Sequence, residues 1–181
     1  MVSEAGKITD LAKGRYQGVH IWMVVDLALS TGLRVSEMAA LKVEDIDLKR
    51  GLLKVVRLKR TQKKAEAMAI GKDLIEHLQE YIDWAELKKG HLFVGQRGPL
   101  TAQGLQRIWK RAIKLADLPR ELSIHCARHS MAVHLLKKTN NLRNVQKQLG
   151  HASPATTANM YADISFGDMQ EGVNRLYDTA P

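Results

Sequence analysis

The sequence is poor in the features that mark export and cross-linking. Cys126 is its single cysteine, so no disulfide can form within the chain. Residues 1–7 lack the basic and then apolar order of a secretory signal peptide. The longest apolar stretch, residues 19–29, is interrupted by His20 and Asp26 and is too short to span a bilayer. These absences argue against a secreted or membrane protein, and we expect a cytoplasmic location.

Acidic residues are the minority among the charged ones. The chain has 19 Asp and Glu against 28 Lys and Arg, which gives a formal net charge of +9. Such an excess favours a polyanionic partner, nucleic acid before an anionic membrane surface, although a merely basic soluble protein has the same charge. A length of 181 residues with 45% apolar residues suffices for one domain with a hydrophobic core.

Repeats and low-complexity linkers are also missing, which indicates a single domain over residues 1–181. The spacing of apolar residues predicts a mainly α-helical domain with one small antiparallel β-sheet, an α+β fold. Helices are expected over residues 21–29, 35–41, 73–87, 101–116, 124–138, 142–149, 154–161 and 166–177. Strands are expected over residues 52–58 and 65–70, joined by a basic hairpin tip at 59–64, with a third short strand at 92–94.

Two residues mark helix boundaries in this pattern. Gly32 suits the end of the first helix, because glycine adopts the left-handed conformation that often ends one. Thr101 is the expected N-cap of the helix over 101–116. The apolar face of that helix is predicted to consist of Leu105, Ile108, Trp109, Ile113 and Leu115.

Four short clusters contain side chains with catalytic potential. An arginine and an acid follow the helix break, a histidine precedes an arginine by three residues, a histidine follows a glycine, and a tyrosine comes ten residues later. In chain order they are Arg34 with Glu37, His125 with Arg128, His151, and Tyr161. The second cluster is expected on one helix face, because residues three apart are neighbours on a helix.

Each cluster also has an interpretation without chemistry. The first arginine can form a surface ion pair with Glu37, and the second cluster can lie on a solvated helix face. His151 can cap a helix, and Tyr161 can pack in the core. Residues 142–149, the glycine turn and residues 154–161 can also form a helix-turn-helix whose second helix enters the major groove of DNA.

Together, and in this order, the clusters resemble the tyrosine recombinase (phage integrase) family. The family pattern is T-G-x-R-x-x-E, a lysine on a β-hairpin, H-x-x-R, L-G-H, and then a tyrosine. The matching residues of this chain are Arg34 with Glu37, Lys59, His125 with Arg128, His151, and Tyr161. The resemblance covers residues 21–163 and implies the catalytic-domain fold of that family.

The resemblance implies phosphoryl transfer on DNA through a 3′-phosphotyrosine intermediate. Arg34 and Arg128 are expected to bind the non-bridging phosphate oxygens, since guanidinium groups offer paired, permanently charged donors. Tyr161 is the expected nucleophile, and Lys59 is the expected acid that protonates the departing 5′-oxygen. No pattern of residues indicates a metal or cofactor site.

The remaining members of the set have supporting roles in this scheme. His125 and His151 are expected to donate further hydrogen bonds, and the resemblance favours His125 as the general base that takes the tyrosine proton. Glu37 is expected to orient Arg34.

The chain departs from the family pattern in three places. Ala127 stands where leucine is usual, Cys126 often corresponds to an acid, and residues 68–70 replace the sequence V-P-L. These positions serve packing and strand ending, so they weaken the local alignment more than the mechanism. Lys63 and Lys64 lie close to Lys59 in the hairpin, and alignment from Gly51 along the first strand favours Lys59.

The resemblance also implies partners and a domain organisation. The expected partner is double-stranded DNA, with self-assembly into a tetramer in the synapse, in the nucleoid of a prokaryote. A core over about residues 18–163 is expected, and only 33 residues precede Arg34, so the N-terminal domain that clasps DNA in relatives is expected to be absent from this chain. Residues 164–181 are expected either to dock on a neighbouring protomer or to fold on their own domain.

Two alternative functions stay open on the sequence. A type IB topoisomerase has similar active-site chemistry but relaxes supercoils, and a DNA-binding regulator would use the helix-turn-helix-like segment without catalysis. The L-G-H motif and the segment after the tyrosine argue against the topoisomerase, and the complete set of residues argues against the regulator. The favoured function is therefore site-specific cleavage and rejoining of DNA.

Overall fold

The computed structural model describes residues 16–59 and 62–150, and of residues 16–19, 58, 59, 62 and 63 it describes the backbone. The helices are α1 (Tyr16–Thr31), α2 (Val35–Ala40), α3 (Lys72–Trp84), α4 (Ala102–Leu115), α5 (Ile124–Thr139) and α6 (Leu142–Leu149), with a 3₁₀ turn at Val43–Asp45. The strands are β1 (Ile46–Asp47), β2 (Leu52–Lys59), β3 (Gln62–Ala69), β4 (Val94–Gly95) and β5 (Gly98–Pro99). The predicted helices over 154–161 and 166–177 lie outside these residues.

Helix α1 is the centre of the hydrophobic core. Met23, Val24, Val25 and Leu27 are fully buried, because α3, α4 and α5 all pack against this helix. A nearly continuous apolar sequence is what a helix covered on most sides requires. No helix in residues 16–59 and 62–150 is both long and apolar enough to cross a membrane.

A second, smaller apolar cluster lies between α5 and α6. It consists of Met131, Ala132, Val145 and Leu149. Helix α6 buries only Val145 and Leu149, so these two residues hold it against α5. This small cluster fixes the position of the turn that follows α6, and that turn borders the candidate site.

Strands β1, β2 and β3 form an antiparallel sheet in that order. The β2–β3 ladder extends from the pair Leu52–Ala69 to the pair Lys59–Gln62. The prediction of a polar tip over residues 59–64 was therefore wrong in extent, because the ladder continues to the pair Lys59–Gln62 at the hairpin ends of β2 and β3. The predicted third strand over 92–94 was also wrong: Leu92 and Phe93 are buried core residues, and β4 begins at Val94 and pairs with β5 in a separate two-stranded sheet.

Most helix boundaries agree with the sequence pattern. Thr101 is the N-cap of α4, since its hydroxyl oxygen accepts a hydrogen bond from the backbone of Gly104 at 3.2 Å. The predicted helix over 73–87 ends earlier, at Trp84, because Glu86 adopts a left-handed conformation. Leu115 was wrongly placed on the buried face of α4; it is 53% exposed at the last residue of the helix.

The fold class predicted from the sequence is confirmed. The chain is mainly α-helical with small antiparallel sheets, and β2, α2, α5 and the end of α6 meet at one side of the core. That junction contains the side chains described next.

Candidate active site

The segment between α1 and α2 places Arg34. Gly32 ends α1 in the left-handed conformation, with φ of +63°, and its backbone N–H donates to the carbonyl of Ala28 at 3.0 Å. The buried hydroxyl of Thr31 donates to the carbonyl of Leu27 and accepts from the backbone N–H of Leu33. These hydrogen bonds pair backbone groups at the end of α1 and fix the turn. Arg34 follows as the residue directly before α2.

Glu37 holds Arg34 from within the first turn of α2. Its carboxylate accepts one hydrogen bond from the backbone N–H of Arg34 at 2.8 Å and another from Nη1 of the same residue at 2.9 Å. The Glu37 side chain is buried, whereas that of Arg34 is 43% exposed. The carboxylate therefore anchors a guanidinium that keeps one side open to solvent, which contradicts the interpretation as an ordinary surface ion pair.

Arg128 enters the same region from α5 and is only 8% exposed. Its Nη1 donates to the carbonyl of Gly32 at 2.6 Å, and its Nη2 donates to the carbonyl of Leu149 at 2.9 Å. One side chain thus ties the turn before Arg34 to the end of α6. The interpretation of Arg128 as a residue on a solvated helix face was wrong, because the N-terminal half of α5 packs on α1.

The electrostatics of Arg128 show how closely the charges approach. Burial above all, together with repulsion from Arg34 and Arg57, lowers the pKa of Arg128 to about 10, while the Glu37 carboxylate opposes the shift. At neutral pH the guanidinium is still charged. Three positive charges therefore face two carboxylates, those of Glu37 and Glu66, and the remaining single positive charge is suited to an anion.

His125 and Lys59 are the other two predicted site residues within the described part of the chain. His125 is exposed in the first turn of α5, and within residues 16–59 and 62–150 no hydrogen bond or ion pair joins it to the arginines. The loop before it is held by the indole of Trp109, which donates to the carbonyl of Leu122 at 2.8 Å. Lys59 is the last residue of β2 and pairs with Gln62 across the hairpin.

His151 and Tyr161 lie outside the described residues, so their assignments stay predictions. Helix α6 ends at Leu149, and the following Gly150 is left-handed, with φ of +63°. His151 thus comes next in the chain after a turn that Arg128 contacts. The described residues contain no group of three or more His, Cys, Asp or Glu side chains that could hold a metal ion.

The structure adds one residue that the sequence interpretation missed. Arg57 of β2 is 2% exposed, and its guanidinium contacts Glu37, Glu66 and the carbonyl of Gln148. A signal was present in the sequence: Arg57 continues the alternation of Leu53 and Val55, which are the buried residues of that strand. A charged residue on the inward face of a strand requires buried partners, although the pattern does not name them.

The Arg57 side chain leaves room only for glycine at position 150. A β-carbon at this position would lie 2.0 Å from Nη1 of Arg57 and 2.6 Å from its Cζ. The glycine of the L-G-H motif therefore does more than adopt a left-handed turn. It lets the backbone before His151 pass directly against the buried guanidinium.

The comparisons with known proteins identify the family. The model of the phage integrase family matches residues 2–167. The chain is 32% identical over 164 residues to tyrosine recombinase XerD of Staphylococcus saprophyticus, covering 87% of this chain and 54% of that protein. It is 34% identical over 161 residues to tyrosine recombinase XerC of Pseudomonas aeruginosa, covering 87% of this chain and 52% of that protein. The chain belongs to the phage integrase family, as its motifs predicted.

Solved structures agree with this assignment. The crystal structure of XerA recombinase superposes with a TM-score of 0.82 at 24% identity, covering 98% of this chain and 62% of that chain, and supports the fold. The structure of XerH site-specific recombinase bound to a palindromic difH substrate, a post-cleavage complex, gives a TM-score of 0.74 at 27% identity over 94% of this chain and 51% of that chain. The chain spans about half the length of the curated relatives it matches.

Proposed function

We propose that this chain is the catalytic part of a site-specific DNA recombinase that cleaves and rejoins strands through a 3′-phosphotyrosine intermediate. The observation that supports it most directly is that Arg34, which is bonded to the buried Glu37 carboxylate, and Arg128 lie close enough to repel each other, in a member of the phage integrase family. A diester phosphate is anionic, and its transition state for transfer concentrates charge on the non-bridging oxygens. Preorganised guanidinium donors stabilise that charge without reorganisation.

The residues divide the reaction between them. In the proposed mechanism, Tyr161 attacks the phosphorus while His125 takes its proton, and Arg34, Arg128 and His151 hydrogen-bond the non-bridging oxygens. Lys59 gives a proton to the 5′-oxygen as its bond to phosphorus breaks. The energy of the broken bond is conserved in the phosphotyrosine, so the same steps in reverse rejoin a DNA strand.

An exposed basic face on α4 supports DNA as the partner. Arg107, Lys110, Arg111 and Lys114 are all exposed at the spacing of one helix face. The opposite face of α4 is buried by Leu105, Trp109, Ala112 and Ile113. A row of cations on a rigid helix matches a phosphate backbone, and each phosphate contact releases counterions. The XerH neighbour, which was solved with its DNA substrate, supports the same partner.

The proposal extends to assembly and location. A recombination reaction joins two DNA duplexes, so we propose that four copies assemble on DNA, with residues 164–181 docking on the neighbouring protomer. Such a protein works on chromosomal DNA in the prokaryotic cytoplasm. Size measurement of the DNA complex, with and without residues 164–181, tests the assembly.

The decisive experiment traps the covalent intermediate. The chain is incubated at saturating concentration with a nicked suicide duplex, from which the 5′-hydroxyl fragment diffuses away, and denaturing gels detect the protein–DNA adduct. We expect an adduct with the natural sequence and none with Tyr161→Phe, which removes only the nucleophilic oxygen and leaves DNA binding intact. Tyr177→Phe is the matched control and should form the adduct normally.

Supercoiled plasmid, used beside the suicide duplex, separates the alternative functions. Relaxation of supercoiled plasmid without recombinants would indicate a topoisomerase. Site-selective binding without any adduct would indicate a regulator and would contradict the proposed function.

A further inference from the structure

Arg57 lies too deep to contact DNA itself. Its side chain is 2% exposed on the inward face of β2, below the hairpin that carries Lys59. Any effect of this guanidinium on the reaction must therefore pass through the groups it contacts.

Those contacts come from three elements that surround the candidate site. Nη1 donates to Oε2 of Glu66 on β3 at 3.2 Å, and Nη2 donates to the carbonyl of Gln148 near the end of α6 at 2.8 Å. Nε faces Oε1 of Glu37 on α2 at 3.7 Å. One guanidinium thus joins the hairpin, the segment that carries Arg34 and the turn before His151.

The Glu37 carboxylate is shared unequally between two arginines. Its Oε1 lies 2.9 Å from Nη1 of the half-exposed Arg34 and 3.7 Å from Nε of the buried Arg57. Within residues 16–59 and 62–150, Nε of Arg57 is buried without a hydrogen-bond partner. A buried donor without a partner is costly, so a small approach of the carboxylate to Nε is favourable.

We propose that Arg57 is a positioning residue that releases Arg34 to the scissile phosphate by taking over the Glu37 carboxylate. When Arg34 turns toward the phosphate, Oε1 closes on Nε from 3.7 Å to an ordinary hydrogen-bond length of about 2.9 Å. Without Arg57, the buried carboxylate keeps Arg34 as its single ion-pair partner within residues 16–59 and 62–150, and it holds Arg34 back from the substrate. The inference rests on the proposed function, because it assigns Arg34 to the phosphate.

A purely structural role makes a different prediction. If Arg57 only fastens β2 to β3 and α6, its loss should slow cleavage by the same factor whether or not Arg34 is present. If it acts through Arg34, its loss should matter little once Arg34 has been removed. The two roles therefore separate in a double-mutant cycle.

The experiment measures single-turnover adduct formation on the suicide duplex at saturating protein for four forms: natural sequence, Arg57→Gln, Arg34→Ala, and both changes together. We expect Arg57→Gln to slow cleavage by about a hundredfold, the effect of losing one preorganised donor. In the Arg34→Ala background, the same change should slow cleavage by less than about threefold, because the two arginines are coupled through the shared Glu37 carboxylate. Glu66→Gln, which removes the negative charge beside Arg57 on β3 and leaves Glu37 unchanged, is the matched control and should have little effect.

A second variant and a second substrate keep the test informative if Arg57→Gln folds poorly. Arg57→Lys keeps a buried positive charge for Glu37 and should recover part of the rate lost in Arg57→Gln. A scissile linkage with one non-bridging oxygen replaced by methyl carries no charge and makes little use of Arg34. On it, the Arg57→Gln and Arg57→Lys defects should both shrink at least tenfold, in line with the charge dependence of this donor.

Equal slowing in both backgrounds, or on both linkages, would overturn the inference and leave Arg57 as a structural fastener. A Glu66→Gln defect as large as that of Arg57→Gln would do the same. These results differ from failure of the proposed function, in which the natural sequence itself forms no adduct and the role of Arg57 falls with it.

Discussion

The two arginines of the candidate site are held in opposite ways. Arg34 depends on near neighbours: its carboxylate partner is three residues away, and the turn before it is fixed by Thr31 and Gly32. Arg128 depends on distant ones: its two acceptors, Gly32 and Leu149, are 96 and 21 residues away in sequence. The first arrangement is a property of a short peptide segment, and the second exists only when the whole core has formed.

This difference separates function from stability. Removal of the Arg34 side chain affects one buried group, the Glu37 carboxylate, and that carboxylate keeps its backbone hydrogen bond. Arg128 links the ends of α1 and α6 to α5, so its removal leaves the carbonyls of Gly32 and Leu149 without a hydrogen-bond donor. Substitution of Arg34 should therefore affect cleavage alone, whereas substitution of Arg128 should affect both cleavage and stability.

Arg128→Ala should have the largest effect. It removes a proposed phosphate donor and leaves the carbonyls of Gly32 and Leu149 without their partner. Each unpaired buried group costs about 1–3 kcal/mol, partly offset because the buried charge is also removed. We expect cleavage to fall by at least about a hundredfold and the melting temperature to fall by several degrees, measured by adduct formation and thermal unfolding.

The control for this prediction is Arg143→Ala, since Arg143 is exposed on α6. It should change neither quantity. Arg128→Lys should recover little, because an ammonium has a single nitrogen and lacks the planar fork in which two nitrogens reach the two carbonyls. A fully stable Arg128→Ala variant would show that the long-range bonds do not hold this side of the site.

Arg34→Ala tests the locally supported side. Cleavage should again fall by about a hundred- to a thousandfold, because one preorganised donor is lost. Thermal unfolding should shift much less than for Arg128→Ala, because the side chain is 43% exposed and solvent screens its ion pair. If Arg34→Ala unfolds as readily as Arg128→Ala, the proposed contrast between the two arginines is wrong.

Lys59 represents a third kind of support, the end of a two-stranded ribbon. Lys59→Ala should slow cleavage of ordinary DNA by about a hundredfold, within the range for general acid catalysis. The defect should largely vanish when the departing 5′-oxygen is replaced by sulfur, because a thiol has a pKa of about 8.5 and leaves without a proton. The rate of adduct formation on both substrates measures this rescue.

Lys63→Ala and Lys64→Ala are the controls for the hairpin register. If sulfur rescues the Lys63 variant instead, Lys63 is the general acid. If it rescues none of the three, the hairpin lysines bind phosphates and have no role in proton transfer. Arg34→Ala should show no rescue, because the proposed task of Arg34 is the charge on the non-bridging oxygens.

The same contrast explains how far the sequence could predict the site. The pairing of Arg34 with Glu37 and the helix end at Gly32 follow from neighbours a few residues apart, so the pattern indicated them. The contacts of Arg57 with Glu37 and Gln148 depend on how β2 packs against α2 and α6, which no local spacing encodes. Arg57 could be marked as an inward charge on a strand, but its partners needed the tertiary structure.

The fold shows the same limit. The sequence pattern located α4, α5 and α6 within one residue at each end, with strong apolar periodicity in α4 and α6. The short elements were the ones misplaced: Leu92 donates its backbone hydrogen bond to Leu41 and so joins the core instead of a strand, and β1 was missed because two residues carry no period. Tertiary hydrogen bonds decide such elements.

Among the substitutions at the site, Gly32→Ala should have the smallest effect on cleavage, and it lies where the two kinds of support meet. Gly32 ends the local turn and its carbonyl is an acceptor of Arg128. An alanine β-carbon would lie 2.6 Å from Cε of Met131 and 2.9 Å from Cδ2 of Leu149, and the φ of +63° is strained for any side chain. The strain costs about 1–2 kcal/mol, so denaturant unfolding should show a loss of about 2 kcal/mol once the crowding is included.

Gly90→Ala isolates the contribution of crowding. Gly90 also has a positive φ, of +89°, but an added β-carbon meets nothing within 4 Å. It should show the backbone strain alone and leave cleavage unchanged, whereas Gly32→Ala should also slow cleavage severalfold because Met131 and Leu149 push on the helices that carry Arg128 and the turn before His151. Equal losses of stability for the two variants, with normal cleavage in both, would mean that the junction absorbs a methyl group freely. The positions of the two arginines would then not depend on close packing at Gly32.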